Sequence, residues 1–83
     1  MSVEATITAL VAALIEAEPD EVPPEAHLFK DLAMDSVLAI DLVTDLEKQF
    51  GIAIPDERMK ELTSVKAIAG IVEGYLAGAK AAT

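Results

Sequence analysis

Apolar residues recur every third or fourth position in separate stretches of this chain, and no stretch shows a convincing strand alternation. That periodicity restricts the chain to helices packed on helices. Val3, Ile7, Leu10, Val11, Leu14 and Ile15 form the first stripe, with Ser2 placed to cap it. It should end near Glu18-Pro19, because a residue before proline is pushed out of the helical region. A second stripe starts at Asp35 or Ser36 and runs to Phe50. Gly51 is well placed as its left-handed C-terminal cap, and Ile52 closes that end by hydrophobic contact. "IPDERMKEL" predicts a short third helix with Pro55 at its threshold. Thr63 or Ser64 then caps a fourth, bearing Val65, Ile68, Ala69, Ile71, Val72, Tyr75 and Leu76. The tail "AGAKAAT" is expected to fray. The predicted fold is all-α, a four-helix bundle of three main helices and a short third one.

With 83 residues the chain predicts one domain over 1–83, small enough that its stability is modest. There is no cysteine, so no disulfide or thiolate–metal staple compensates. Fifteen acidic against six basic residues give a net charge of −9, which disfavours nucleic acid and anionic membrane surfaces and favours basic protein patches. "MSVEATITALVAALIEAE" lacks a basic leader region and is interrupted by Glu4 and Glu16, so the expectation is a soluble, cytoplasmic domain. The link "EPDEVPPEAHLFKDLAM" is long for a compact domain. Its apolar cluster Leu28, Phe29 and Leu32 should pin it to the core.

Residues about 100° apart around the axis of the second helix separate into two apolar groups. Ala39, Leu42, Val43, Leu46 and Phe50 make a core stripe. Val37, Ile40 and Thr44 face elsewhere, close to the direction of Ser36, with Asp41, Asp45 and Lys48 beyond them and Glu47 on the other margin. One helix of a small bundle cannot easily bury both stripes, so the second group is a candidate docking patch. Scattered exposed aliphatics are the bland reading of the same residues.

Either Asp35 or Ser36 could be an ordinary helix cap. If Asp35 caps, Ser36 becomes the first helical residue with its hydroxyl outward, where free N–H groups and the helix dipole suit a phosphate. A nucleophilic role lacks support. His27 is the only histidine and is separated from Ser36 by the loop, and "MDSVL" has no glycine-flanked elbow. Asp41 and Asp45 sit one turn apart on the expected solvent face, and the acids at 31, 35, 41 and 45 do not follow a calcium-loop spacing. No catalytic or metal-binding set is predicted.

The run "FKDLAMDSVLAIDLVTDLEKQFGIAIPDE", followed by "TSVKAIAGIV", closely resembles the acyl carrier protein family of the stand-alone type, over roughly residues 3 to 76. The resemblance implies a domain that is inert until a phosphopantetheinyl transferase moves 4′-phosphopantetheine from coenzyme A onto Ser36, beside the cap Asp35. The arm's terminal thiol then holds an acyl group for fatty acid or polyketide synthesis, with acyl-loading and chain-processing synthase enzymes as partners and no catalysis by the chain itself. It also implies partner docking through Val37, Ile40, Asp41, Thr44 and Glu47, on a monomer. The aliphatic interior around Leu46, Ile54, Leu62 and Ile68 is expected to open to an acyl chain. Four sites depart from the family pattern, one of them Val37, where leucine is frequent. Ala33-Met34 replaces a glycine-led approach, Leu38 stands where an acid is common, and Lys48-Gln49 ends the helix. Docking should therefore lean more on apolar contact than on charge. An aminoacyl or peptidyl carrier, or an unmodified acidic interaction module, are the competing readings.

Overall fold

The computed structural model describes residues 2–32 and 34–82, with the side chains of 56 and 78–82 outside that description. Ser2 accepts the Ala5 N–H through its hydroxyl at 3.0 Å and opens α1, Val3–Leu14. This helix stops before the expected Glu18-Pro19 boundary. Glu16 takes a left-handed backbone with φ 58, the Ala17 N–H returns to the Ala12 carbonyl at 2.9 Å, and the Glu16 N–H points to Ala13 at 3.4 Å. Those two bonds make a Schellman closure with a glutamate in the position usually held by glycine. A side chain in that backbone region costs about 1 kcal/mol.

The early stop frees the chain to make a 3-10 turn at Pro19–Glu21, where the Glu18 N–H donates to the Glu21 carboxylate at 2.8 Å. Val22 follows it into the core. Two backbone bonds tie the long link to the start of the last helix: Leu28 N–H to the Thr63 carbonyl at 2.8 Å, and Lys66 N–H to the Pro24 carbonyl at 2.9 Å. Leu28 is buried and Leu32 packs against the core as predicted. Phe29 does not join them, remaining 41% exposed. In the tight turn that follows His27, Leu28 takes the inward direction and its neighbour is left outside.

Helix α2 spans Ser36–Phe50, and Gly51 ends it at φ 66. The Gly51 and Ile52 N–H groups both return to the Glu47 carbonyl, at 2.9 and 3.2 Å, and Ile52 packs on the core. The expected short third helix is a 3-10 segment over Asp56–Glu61. Ser64 is the cap of α3, its hydroxyl accepting the Ala67 N–H at 3.1 Å. The helical backbone of α3 covers Val65–Ala82, so the tail predicted to fray continues the helix as far as Ala82. Its alanine-rich composition supports that extension. Residue 33 of the altered approach lies outside the described residues.

Helix α1 packs against both α2 and α3. One apolar cluster unites Ile7 and Val11 of α1, Leu42 and Leu46 of α2, Leu62, and Val65, Ile68 and Val72 of α3. Each such side chain contributes about 1.5–3 kcal/mol through burial. Among the described residues no helix is long and apolar enough to cross a membrane.

Candidate functional site at the start of α2

Asp35 settles the choice of cap. Its backbone is extended and its carboxylate accepts the Leu38 N–H at 2.9 Å, so Ser36 is the first helical residue. The three serines of the chain thereby differ in kind. Ser2 and Ser64 spend their hydroxyls on capping α1 and α3. Ser36 is exposed, and its hydroxyl has no hydrogen-bond partner among the described residues. As first-turn groups, the Ser36 and Val37 N–H have no acceptor inside their own helix, and the positive end of the α2 dipole lies there as well.

Beside this hydroxyl, Val37 is 67% and Ile40 56% exposed, large values for aliphatic residues on a helix whose other face is buried. Ala39, Leu42, Val43 and Leu46 form that buried face, and Phe50 is half-buried. The predicted second stripe is therefore a real surface strip, with Asp41 and Thr44 exposed along it. Thr44 turns its hydroxyl back to the Ile40 carbonyl at 3.1 Å. Glu47 is half-buried instead, and its carboxylate accepts the Ile54 N–H at 2.7 Å, pinning the link after α2. Its part in the fold is thus structural.

The family profile described as "Phosphopantetheine attachment site" matches residues 5–72. An acyl carrier protein of Thermosynechococcus vestitus (strain NIES-2133 / IAM M-273 / BP-1) is 34% identical over 71 residues, covering 86% of this chain and 88% of that protein. The chain belongs to the phosphopantetheine-attachment family. Members of this family are carriers rather than catalysts, and the prosthetic group is 4′-phosphopantetheine. The exposed, uncommitted hydroxyl at a helix start fits a phosphodiester, because the neighbouring aspartate performs the capping that the serine would otherwise supply. Among the described residues no group of His, Asp and Glu is arranged to hold a metal ion.

The sequence-predicted interior set, Leu46, Ile54, Leu62 and Ile68, is buried and belongs to the common core. Of the four, Ile54 lines a groove, a space of about 350 Å³ shared with Ile40, Val43, Thr44, Glu47 and Met59. A second groove, of about 300 Å³, has Ser36 on its wall, with Phe29, Ala39, Ile40, Met59 and Lys60. Phe29, Met59 and Lys60 carry no periodic signal that would assign them to this place; only the tertiary fold brings them to Ser36. A larger groove of about 510 Å³, between Arg58 and the Gly70–Tyr75 side of α3, contains none of the predicted site residues. There Arg58 pairs with Glu61 at 3.1 Å and lies 5.7 Å from the centre of the Tyr75 ring, and these neighbours, Glu61 foremost, raise its pKa further.

His27 supports the approach to the site. Its Nδ1 accepts the N–H groups of Phe29 and Lys30, each at 3.2 Å, while Asp31 accepts the His27 N–H at 2.9 Å. The histidine that offered no catalytic partner in the sequence thus caps the turn leading towards Ser36.

Proposed function

We propose that Ser36 bears the 4′-phosphopantetheine arm and that the chain carries acyl intermediates for fatty acid or polyketide assembly. The observation that supports this most is the single serine hydroxyl left free of capping, exposed at the start of a well-anchored helix. When bound, the arm supplies a terminal thiol able to hold an acyl group as a thioester.

Ser36 Oγ would form the new P–O bond at the pantetheine-side phosphorus of coenzyme A and give up its proton to the transferase, while the pyrophosphate P–O bond breaks and adenosine 3′,5′-bisphosphate leaves. Asp35 fixes the backbone so that this oxygen points outward. The first-turn N–H groups offset the charge of a phosphate placed beside them. Val37 and Ile40, with Asp41 and Thr44, offer an apolar contact strip edged by polar groups, to the transferase and then to synthase enzymes in turn. A small strip of this kind suits partners that must dissociate quickly. Glu47 acts behind the strip by holding the chain after α2 in place.

Leu46, Ile54, Leu62 and Ile68 form the interior into which a carried chain could be sheltered, with the groove at Ile54 as the point of entry. Chemical-shift changes confined to the surface after loading a medium-length acyl group would remove that role from them.

The function is tested by incubating the protein with coenzyme A and a broad-specificity phosphopantetheinyl transferase, then measuring intact mass. The wild type should gain one arm and Ser36→Ala none. An unmodified wild type contradicts the reading. Offering the modified protein to acyl- and aminoacyl-activating enzymes then decides the cargo: acyl loading is expected, and exclusive aminoacyl loading would reassign it.

A further inference from the structure

The groove at Ser36 combines two chemistries. Phe29, Ala39, Ile40 and Met59 give it apolar walls, while Ser36 lines it from α2 and Lys60 from the 3-10 segment. The two polar members come from separate elements, the start of α2 and the Asp56–Glu61 segment.

A phosphodiester on Ser36 would stand next to the Asp35 carboxylate in a chain of net charge −9. The first-turn N–H groups offset part of that charge, and a nearby cation would offset more. The other described cations have different situations: Arg58 is engaged by Glu61 and Tyr75, Lys66 lies 3.8 Å from Glu25, and Lys48 belongs to the far end of α2. Lys30 is not among the residues lining the groove. Lys60 shares the wall with Ser36.

We infer that Lys60 is a positioning residue for the arm, its ammonium holding the phosphate on Ser36 so that the adjoining pantoyl segment lies against Phe29, Ile40 and Met59. The inference rests on the reading that Ser36 bears the arm. The chemistry is consistent end to end. An ammonium is a point charge that pairs with phosphate without demanding a fixed bidentate geometry. The second carbon from the phosphate, beyond one methylene, bears two methyl groups, which match apolar walls better than water does. The pairing biases the direction of the arm near its root while the distal thiol stays free to travel. Because the charges are close to solvent, the bias weakens as salt rises.

The test uses the complete chain after modification, with intact mass establishing that the arm is on Ser36 before any spectrum is read. Phosphorus NMR line width and nuclear Overhauser contacts between the pantoyl methyl protons and the Met59 and Ile40 methyls are recorded at low and high salt. Wild type, Lys60→Met, Lys60→Arg and the control Lys66→Met are compared. The expected result is a broadened phosphorus line and methyl contacts in the wild type, lost in Lys60→Met, restored in Lys60→Arg, unchanged in Lys66→Met and diminished by salt. Lys60 is exposed, and a proton–nitrogen correlation spectrum verifies that each variant is folded. Matching line widths and contacts in wild type and Lys60→Met would overturn the role of Lys60 while leaving the attachment reading intact. Failure of the wild type to gain mass on Ser36 would overturn both.

Discussion

The two segments that meet at Ser36 are held in place by different means. Helix α2 is fixed by side-chain packing, with Leu42 and Leu46 inside and Val37 and Ile40 largely exposed. The loop before it is fixed largely by hydrogen bonds: the Leu28 N–H to Thr63, the Lys66 N–H to Pro24, and the His27 ring to the Phe29 and Lys30 N–H groups. It adds only a few buried anchors, Val22, Leu28 and Met34. The contrast suits a carrier. If Ser36 bears the proposed arm, the regular helix gives it a stiff mounting, and the loop places Phe29 on the groove beside it.

The comparison breaks most sharply in the core. Leu46→Ala removes a fully buried α2 side chain and should cost about 2–5 kcal/mol in chemical denaturation, a large share of the stability of so small a domain. Leu28→Ala should fall in the same range of about 2–5 kcal/mol, because the loop's anchor is equally deep. A cost near zero would show that the loop is only laid over the surface.

Smaller effects separate the backbone devices. His27→Ala removes the acceptor for two N–H groups and should cost about 1 kcal/mol, with His27→Ser recovering part of it through its own hydroxyl. Exchange of the Phe29 and Lys30 amide protons is the local readout, and α2 amides should not follow. Gly51→Ala should cost about 1 kcal/mol from backbone strain alone, since an added Cβ meets no atom within 4 Å. Glu16→Gly relieves the same strain at the end of α1 and should stabilise the fold by up to about 1 kcal/mol. Equal and neutral results at both positions would contradict the assigned helix ends.

The smallest change in stability belongs to the strip. Ile40→Ser should alter unfolding by less than about 0.5 kcal/mol, because the side chain is largely in water. It should nevertheless slow arm transfer several-fold through a raised KM for the protein substrate, consistent with loss of an apolar contact worth about 1 kcal/mol. A variant that unfolds instead would place Ile40 in the core.

This division also explains what could be read from residues alone. The two faces of α2 and the Gly51 terminus are local and periodic, so "DSVLAIDLVTDLEKQFG" carries them in its own spacing, whereas the choice between Asp35 and Ser36 as the cap needed the backbone geometry. Val22 and Met34 are buried through ties between Leu28 and Thr63 and between Pro24 and Lys66, residues far apart in the chain, and no local pattern announces them. The early end of α1 was hidden because glutamate, not glycine, takes the left-handed position. Phe29 belongs to the apolar cluster expected to pin the link, and nothing in the sequence singles out Lys60. Their meeting at Ser36 exists only in three dimensions.

Fragmentation mass spectrometry of the protein after treatment with transferase and coenzyme A locates the added group residue by residue. Attachment at Ser36 requires the whole phosphopantetheine mass on that residue, with Ser2 and Ser64 unmodified because their hydroxyls hold the ends of α1 and α3. An arm found on any other residue, or a Ser36 that stays bare under permissive conditions, would contradict it.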